Sequence, residues 1–400
     1  MKKKIFILSH AMELGGVERS LLGLLEVLDY SHYDVDLFLL RHEGELLSSI
    51  PKAVNLLPEV PAYTVLARPL KDVLKEMHFL LFTARIYGKI KARYFDKKNN
   101  NNDSIVALEY SHKYTYRLMP KIQSNKNYDI AISFLTPHYI VANNVCAQKK
   151  VAWIHTDYSQ IQLNIVSEEV MWSKYDQIIS ISEAVTKGFV NTFPNLKNSI
   201  IMIENILPSK LIIKQAVQKD VSIEMPKKGI RLLSIGRYCM AKNFDNIPNI
   251  CRKLYEKGLD VYWYIIGFGG DEELIRQKIK ENAMEKRVIL LGKKDNPYPY
   301  IKACDLYIQP SRYEGKSVAV REAQLLGKPV VITDYPTAMS QVKDGIDGII
   351  APLDNEGCAI MIKKLLENRK LMDLLVKNCH KLDYSNSQEI KKIYKLIENN

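Results

Sequence analysis

Short apolar runs, each followed by an amphipathic stretch and then another run, constrain this 400-residue chain more than any other feature. In the first half the runs are Ile5-Phe-Ile-Leu8, Val35–Leu40, Ile130-Ala-Ile-Ser133, Val151-Ala-Trp-Ile154 and Gln177-Ile-Ile-Ser180. In the second they are Arg231–Ile235, Val261–Ile266, Val288–Leu291, Leu306–Gln309, Val330–Thr333 and Gly348-Ile-Ile350. Strands that are apolar on both faces and alternate with helices belong to parallel sheets covered on both sides. Asn205 to Lys228 breaks the rhythm and carries Pro208, Pro226 and mixed charge. The pattern predicts an α/β chain of two doubly wound, Rossmann-like parallel-sheet domains facing a cleft. Residues 1–204 and 229–386 form the domains, 205–228 the linker, and 387–400 a final amphipathic helix with Ile390, Ile393 and Leu396 on one face. Ligands of such sheets bind at the carboxyl ends of the strands.

The net charge of +12 is unevenly placed: Arg68 to Lys98 holds nine Lys/Arg against three Asp/Glu. Leu80, Leu81, Phe82, Ile86, Tyr87, Ile90, Tyr94 and Phe95 interleave with those bases. An amphipathic helix of this kind can lie on an anionic membrane surface, or be a basic solvated face over a core helix. A nucleic-acid role would also account for the charge, but no strand carries stacking aromatics. The six cysteines form no C-x-x-C pair and are expected to be reduced. No signal peptide and no run near 18 apolar residues is found, so a cytoplasmic protein, able to sit at the inner face of the cell membrane, is expected. Lys97-Lys-Asn-Asn-Asn-Asn-Asp103 reads as a mobile polar loop.

Chemistry is expected where glycines and charges leave strand ends. Ser311-Arg-Tyr-Glu-Gly-Lys-Ser-Val318 leaves the Leu306–Gln309 run and enters a helix that carries Glu322. A helix start favours an anion, and carboxylates on either side can accept hydrogen bonds from hydroxyls flanking it. On an ideal helix eight residues span roughly 12 Å and return to nearly one face, so Glu314 and Glu322 can address one elongated ligand. A diphosphate with a sugar at each end has that pattern. Arg237 and Lys242 follow the Arg231–Ile235 run, where a guanidinium and an ammonium can clamp a diphosphate. Gly15-Gly16 opens the first helix and lets backbone approach a ligand. Gly267, in Ile266-Gly-Phe-Gly-Gly, serves mainly a tight turn with close ligand approach as a second use. The loop Lys293–Tyr300 can lie over a nucleobase, and His155 ends a strand where it can meet a sugar hydroxyl or phosphate. No clustered carboxylates indicate a metal.

Glu314-Gly, Arg321-Glu322-Ala, Gly327-Lys-Pro-Val-Val and Asp344-Gly-Ile-Asp-Gly-Ile together resemble the signature of retaining GT-B-fold glycosyltransferases of family 4. Gly15-Gly-Val-Glu, Arg237/Lys242 and His155 agree with it, so the resemblance runs over nearly the whole chain. It implies that Glu322 binds the donor ribose and Glu314 the transferred sugar. Arg237 and Lys242 would hold the diphosphate, with Gly16 approaching it. Amides around Gly315, Lys316, Ser317 and Val318 would bind sugar and phosphate, with Lys293 and Gly267 nearby and His155 beside the hexose. The last helix would cross back to the first domain. Two departures border the expected sugar pocket: Lys316-Ser317 replaces an aromatic and a glycine, and Tyr335-Pro-Thr-Ala-Met339 replaces a glycine-rich loop. The Lys316 version resembles transferases of bacterial capsule and exopolysaccharide clusters.

The expected reaction is metal-independent, retaining transfer of a hexose from a nucleotide diphosphate sugar, UDP- or GDP-linked, to a hydroxyl of a lipid-linked or oligosaccharide acceptor. No further cofactor is expected. The alternatives are a same-fold nucleotide-sugar epimerase, which would need acid/base carboxylates and an imidazole around the sugar, and a non-catalytic partner subunit that binds sugar nucleotide.

Overall fold

The computed structural model describes residues 2–101 and 104–398. It divides into two units, one of residues 1–206 with 387–400 and one of residues 207–386. In the first, β1 (Lys3–Ser9), β2 (Tyr33–Leu39), β3 (Asn55–Leu56), β4 (Tyr128–Ser133), β5 (Ala147–Ile154), β6 (Gln177–Ser180) and β7 (Ile200–Met202) form a parallel sheet in the order β3-β2-β1-β4-β5-β6-β7. In the second, β8 (Ile230–Ile235), β9 (Val261–Ile266), β10 (Val288–Gly292), β11 (Leu306–Gln309), β12 (Val330–Thr333) and β13 (Ile349–Ala351) run parallel in the order β10-β9-β8-β11-β12-β13. The eleven apolar runs all become strands. Only the short edge strands β3 and β7 lacked a run long enough to announce them.

In both sheets strand order reverses beside the first strand, between β1 and β4 and between β8 and β11. Connections leave in opposite directions at such a point and open a crevice at the strands' carboxyl ends. Each sheet is buried on both faces. In the second unit one core packs Trp263, Leu232 and Ile308 with Cys251 and Ile362, and the opposite one packs Tyr307, Leu233 and Val330 with Ile301 and Ala323. Cys251, Cys304, Cys358 and Cys379 are buried free thiols, whereas Cys146 is exposed.

Residues 205–228 are not a free linker. Leu207, Ile212, Ala216, Val221 and Met225 are buried in the second unit's core, and Ser209–Gln215 is a helix. The prolines and charges obscured this apolar spacing of about one helical turn. The chain passes into the second unit after Ile206, not at residue 229.

The last helix, Ile390–Glu398, belongs to the first unit. It buries Ile390, Ile393 and Ile397, so Ile397 takes the place expected of Leu396. Tyr394 stacks on Tyr33 with ring centres 4.9 Å apart. Lys3 Nζ and Lys149 Nζ donate to the carbonyls of Ile397 and Leu396, at 3.0 and 2.8 Å. They satisfy acceptors that a helix C-terminus leaves open.

The basic segment forms two helices, Leu70–Lys75 and Phe79–Asn99, separated at Met77, whose φ is 60°. Gly88 lets the longer helix approach the helix Val106–Thr115, since a Cβ there would lie 2.8 Å from the Tyr110 carbonyl oxygen. Leu74, Met77, Phe79, Leu80, Tyr87, Ile90 and Tyr94 are exposed. The expected polar loop begins later than expected, because Lys97–Asn99 complete this helix. Asn102 and Asp103 lie outside the described residues.

Candidate active site

The second unit concentrates its polar chemistry where β8 and β11 end. These strands pair in parallel, Leu306 beside Leu232 and Tyr307 beside Leu233, so the segments leaving them emerge together. Lys242 Nζ lies 2.5 Å from Glu314 Oε1, and Ser311 Oγ donates to the same oxygen at 2.7 Å. Behind it runs a buried chain of donors: Tyr307 hydroxyl to Gln309 Oε1 at 2.8 Å, and Gln309 Nε2 to Ser311 Oγ at 3.0 Å. Thr333 Oγ1 donates to the Ser311 carbonyl at 2.5 Å, and Thr337 Oγ1 to the Glu314 carbonyl at 2.7 Å. Arg312 ties the turn to the loop after β8 through Asp245 and the Met240 carbonyl. Glu314 is thus held directly by three side chains, Lys242, Ser311 and Thr337, from three strand ends.

Lys242 and Glu314, expected to serve phosphate and sugar separately, form an ion pair. An ammonium has three donors, so the pair leaves Lys242 able to reach further acceptors. Its stem lies over Gly236, where a Cβ would stand 3.2 Å from Lys242 Cε. Arg237 is exposed, and among the described residues no carboxylate pairs with it.

The two glutamates do not share one helix. That helix is Val318–Leu325, so Glu314 precedes it and only Glu322 lies on it. Glu322 is fully buried and accepts from the Tyr298 hydroxyl at 2.9 Å. The loop expected over a base therefore reaches the carboxylate expected to read the ribose. The amides at the helix start are not all available: Ser317 N–H donates to Gln341 Oε1 at 2.6 Å. A Cβ on Gly315 would meet nothing within 4 Å, so its backbone is open to close approach.

Gly267 is a packing glycine, since a Cβ there would lie 1.9 Å from the Gly236 carbonyl oxygen. Lys293 Nζ sits 5.6 Å from the Phe268 ring centre. Next to it Lys294, with Lys219 and Tyr300, engages Glu224, and hydrogen bonds from those three hold that carboxyl down at about 2.

Two expected site residues belong to the first unit. His155 Nε2 donates to the Phe134 carbonyl at 3.0 Å, and burial pushes its pKa down to about 4. The ring is therefore neutral, with Nδ1 an acceptor that is buried and unpaired. Gly16 opens the helix Gly16–Val27. The Glu18 carboxylate folds back over Gly15, where a Cβ would lie 2.1 Å from Oε2, and burial raises its pKa. The chain's own acid thus occupies the position at which a helix start favours an anion. Among the described residues no three His, Cys, Asp or Glu side chains gather as a metal site.

Residues 218–382, most of the second unit, match the family model described as glycosyl transferases group 1. The match covers 165 of the 400 residues, and that region resembles the glycosyl transferases group 1 family. Among curated relatives, a Campylobacter jejuni N-acetylgalactosamine-N,N'-diacetylbacillosaminyl-diphospho-undecaprenol 4-alpha-N-acetylgalactosaminyltransferase is 25% identical over 57% of the chain and 60% of the relative. An Escherichia coli UDP-Gal:alpha-D-GlcNAc-diphosphoundecaprenol alpha-1,3-galactosyltransferase is 23% identical over 44% of the chain and 47% of the relative. The chain thus spans about half to three fifths of the length of these two. Among solved structures, Anabaena HepE in complex with UDP-glucose superimposes with a TM-score of 0.65 at 16% identity, covering 98% of this chain and 99% of that one. The fold is GT-B. Thr333 and Gln341 had no role in the sequence reading, whereas Tyr298, Ser311 and Thr337 lie in segments marked there without a role of their own. Only their nearness to strand ends could have drawn attention to them.

Proposed function

We propose that the chain transfers a hexose, with retained anomeric configuration and without a metal, from a nucleotide diphosphate sugar to a hydroxyl of a lipid-linked acceptor in the synthesis of a bacterial surface polysaccharide. The observation that carries this reading is the Lys242–Glu314 pair, fixed by Ser311 beside the exposed Arg237. In the transition state negative charge builds on the departing diphosphate, and preorganised cations and amides stabilise it most where they need not reorganise. Arg237 and Lys242 supply that charge, while Glu314, fixed from behind, faces the transferred sugar and accepts from its hydroxyls. Retention follows from same-face attack in which the departing phosphate takes the acceptor proton. His155, neutral and with a free lone pair, accepts a hydroxyl hydrogen bond and is not an acid. Glu322, bridged by Tyr298, reads the nucleoside from beneath.

The lipid-linked acceptor is supported by the activities of the two relatives and by the basic, apolar face of Phe79–Asn99, which suits an anionic membrane. Among the described residues no helix is long and apolar enough to cross a membrane, so contact would be peripheral, on the membrane face where the donor is present.

Thermal-shift titration against UDP-, GDP-, ADP- and dTDP-sugars tests the donor. One nucleotide class is expected to raise Tm by several degrees, and no shift with any of them defeats the reading.

A further inference from the structure

A cavity lies within the first unit, beyond β4 and β5. It encloses about 40 Å³ between the helices Val106–Thr115 and Ile165–Trp172, with Thr136 and Tyr158 at the strand ends. A water needs roughly 10–15 Å³ of such space, so the cavity holds about three water-sized groups. That is room for a substituent of a sugar and not for its ring.

Its walls are of two kinds. Ile105, Leu108 and Met171 are apolar, whereas Glu109, His112 and Glu168 are polar. Glu109 is 5% exposed. Its Oε1 accepts from the Tyr139 hydroxyl at 2.7 Å and Ser167 Oγ at 2.5 Å. Its Oε2 is buried with no partner, although a carboxylate oxygen left unpaired in a protein interior is destabilising. Glu168 Oε2 accepts from the Trp172 indole at 2.9 Å. Burial, with the Glu109 charge adding to it, raises Glu168 to about 8, so it carries a proton at neutral pH and can donate. His112 is held neutral by burial and offers one donor and one acceptor.

We infer that this cavity takes an acetamido arm of the acceptor sugar, with the amide N–H on Glu109 Oε2, the amide carbonyl on Glu168 or His112, and the methyl against Ile105, Leu108 and Met171. The inference rests on the transferase reading above and names the class of acceptor: an N-acetylated amino sugar. A hydroxymethyl arm would satisfy Glu109 but leave the apolar wall uncovered. An ammonium would meet that wall and a protonated acid, with Lys113 already supplying positive charge beside Glu109.

The test uses the full chain and two probes that differ only in this arm, methyl α-N-acetylglucosaminide and methyl α-glucoside, by NMR titration with saturation transfer. The N-acetyl probe is expected to bind at least tenfold tighter, with saturation centred on its acetamido methyl. Glu109→Gln is expected to remove most of that preference. Leu108→Trp, at a half-exposed wall position, fills the mouth and tests the cavity should the first variant fail to fold, near-UV circular dichroism reporting the fold of each. Equal affinity for the two probes in the native chain, or a preference that survives in every folded variant, overturns the inference. Thermal shift with nucleotide sugars separates the two readings. A donor shift without probe preference defeats this inference alone, whereas probe preference without any donor shift defeats the proposed function and leaves the cavity assignment standing.

Discussion

Lys242 joins a carboxylate whose position is fixed from behind, so removing the lysine has two effects at once. On the proposed mechanism it takes a cation from the diphosphate, and it leaves Glu314, 11% exposed, with its charge uncompensated. Arg237→Ala removes only a cation, from an exposed position. Loss of one preorganised donor in such sites costs about 10²–10³ in kcat. Lys242→Ala is therefore expected to lower both kcat and Tm, and Arg237→Ala to lower kcat with Tm kept. Steady-state rates and melting curves of the two variants check this, and unchanged turnover in both ends the clamp mechanism. The two bases were legible in the sequence because they follow an apolar strand directly. Their pairing was not, because 72 residues separate Lys242 from Glu314 and only the adjacency of β8 and β11 brings them together. The 314–322 spacing placed both glutamates on one helix, whereas the helix starts only at Val318 and Glu314 precedes it.

Glu168 allows a pH prediction. Its folded pKa of about 8 exceeds the ordinary 4.5, so between those values the folded chain binds a proton that the unfolded chain has released. Stability then falls as pH rises through that window, by at most about 5 kcal/mol for this group at 1.36 kcal/mol per unit. Glu168→Gln cannot ionise and is expected to escape the loss. Urea melts of native and variant chains at pH 5 and pH 8.5 check the sign: the variant should gain on the native chain at the higher pH, and parallel behaviour refutes the assignment.

The helix Phe79–Asn99 buries only Leu81, Gly88 and Ala92 as full members of its inner face, so its outer face is free to carry the exposed Leu80, Tyr87, Ile90 and Tyr94. Basic residues near an anionic surface contribute about 1 kcal/mol each and fade within a Debye length as salt rises. The chain is expected to float with anionic vesicles at low salt and to release at high salt, and Leu80→Glu with Ile90→Glu to abolish flotation while transfer to a water-soluble acceptor persists. Flotation that ignores salt, or that survives both substitutions, removes this helix from the account. The interleaving of bases and apolar residues was legible, but the break at Met77 was not, because no proline or glycine marks it. The Leu207–Met225 segment was misread for a related reason: two prolines and mixed charge hide apolar residues that face one side.

At the scale of the molecule the second unit is continuous in sequence and the first is not. Residues 207–386 are therefore expected to fold as a separate fragment and to melt cooperatively with the same nucleotide shift as the full chain. A chain ending at residue 386 should instead lose the burial of Ile390, Ile393 and Ile397, each worth about 1.5–3 kcal/mol, and its first unit should melt at lower temperature. Calorimetry of the two truncations reads both outcomes, and an unaltered first-unit transition in the shorter chain contradicts the role given to the last helix.

That stitched topology also orders events during synthesis. A ribosome finishes β1 to β7 and then the entire second unit before it releases the helix that covers Tyr33 and engages Lys3 and Lys149. Until then the first unit shows a bare apolar strip. A chain cut short by a premature stop would keep that strip exposed, and so would be recognisable to chaperones and proteases by the absence of its final nine helical residues.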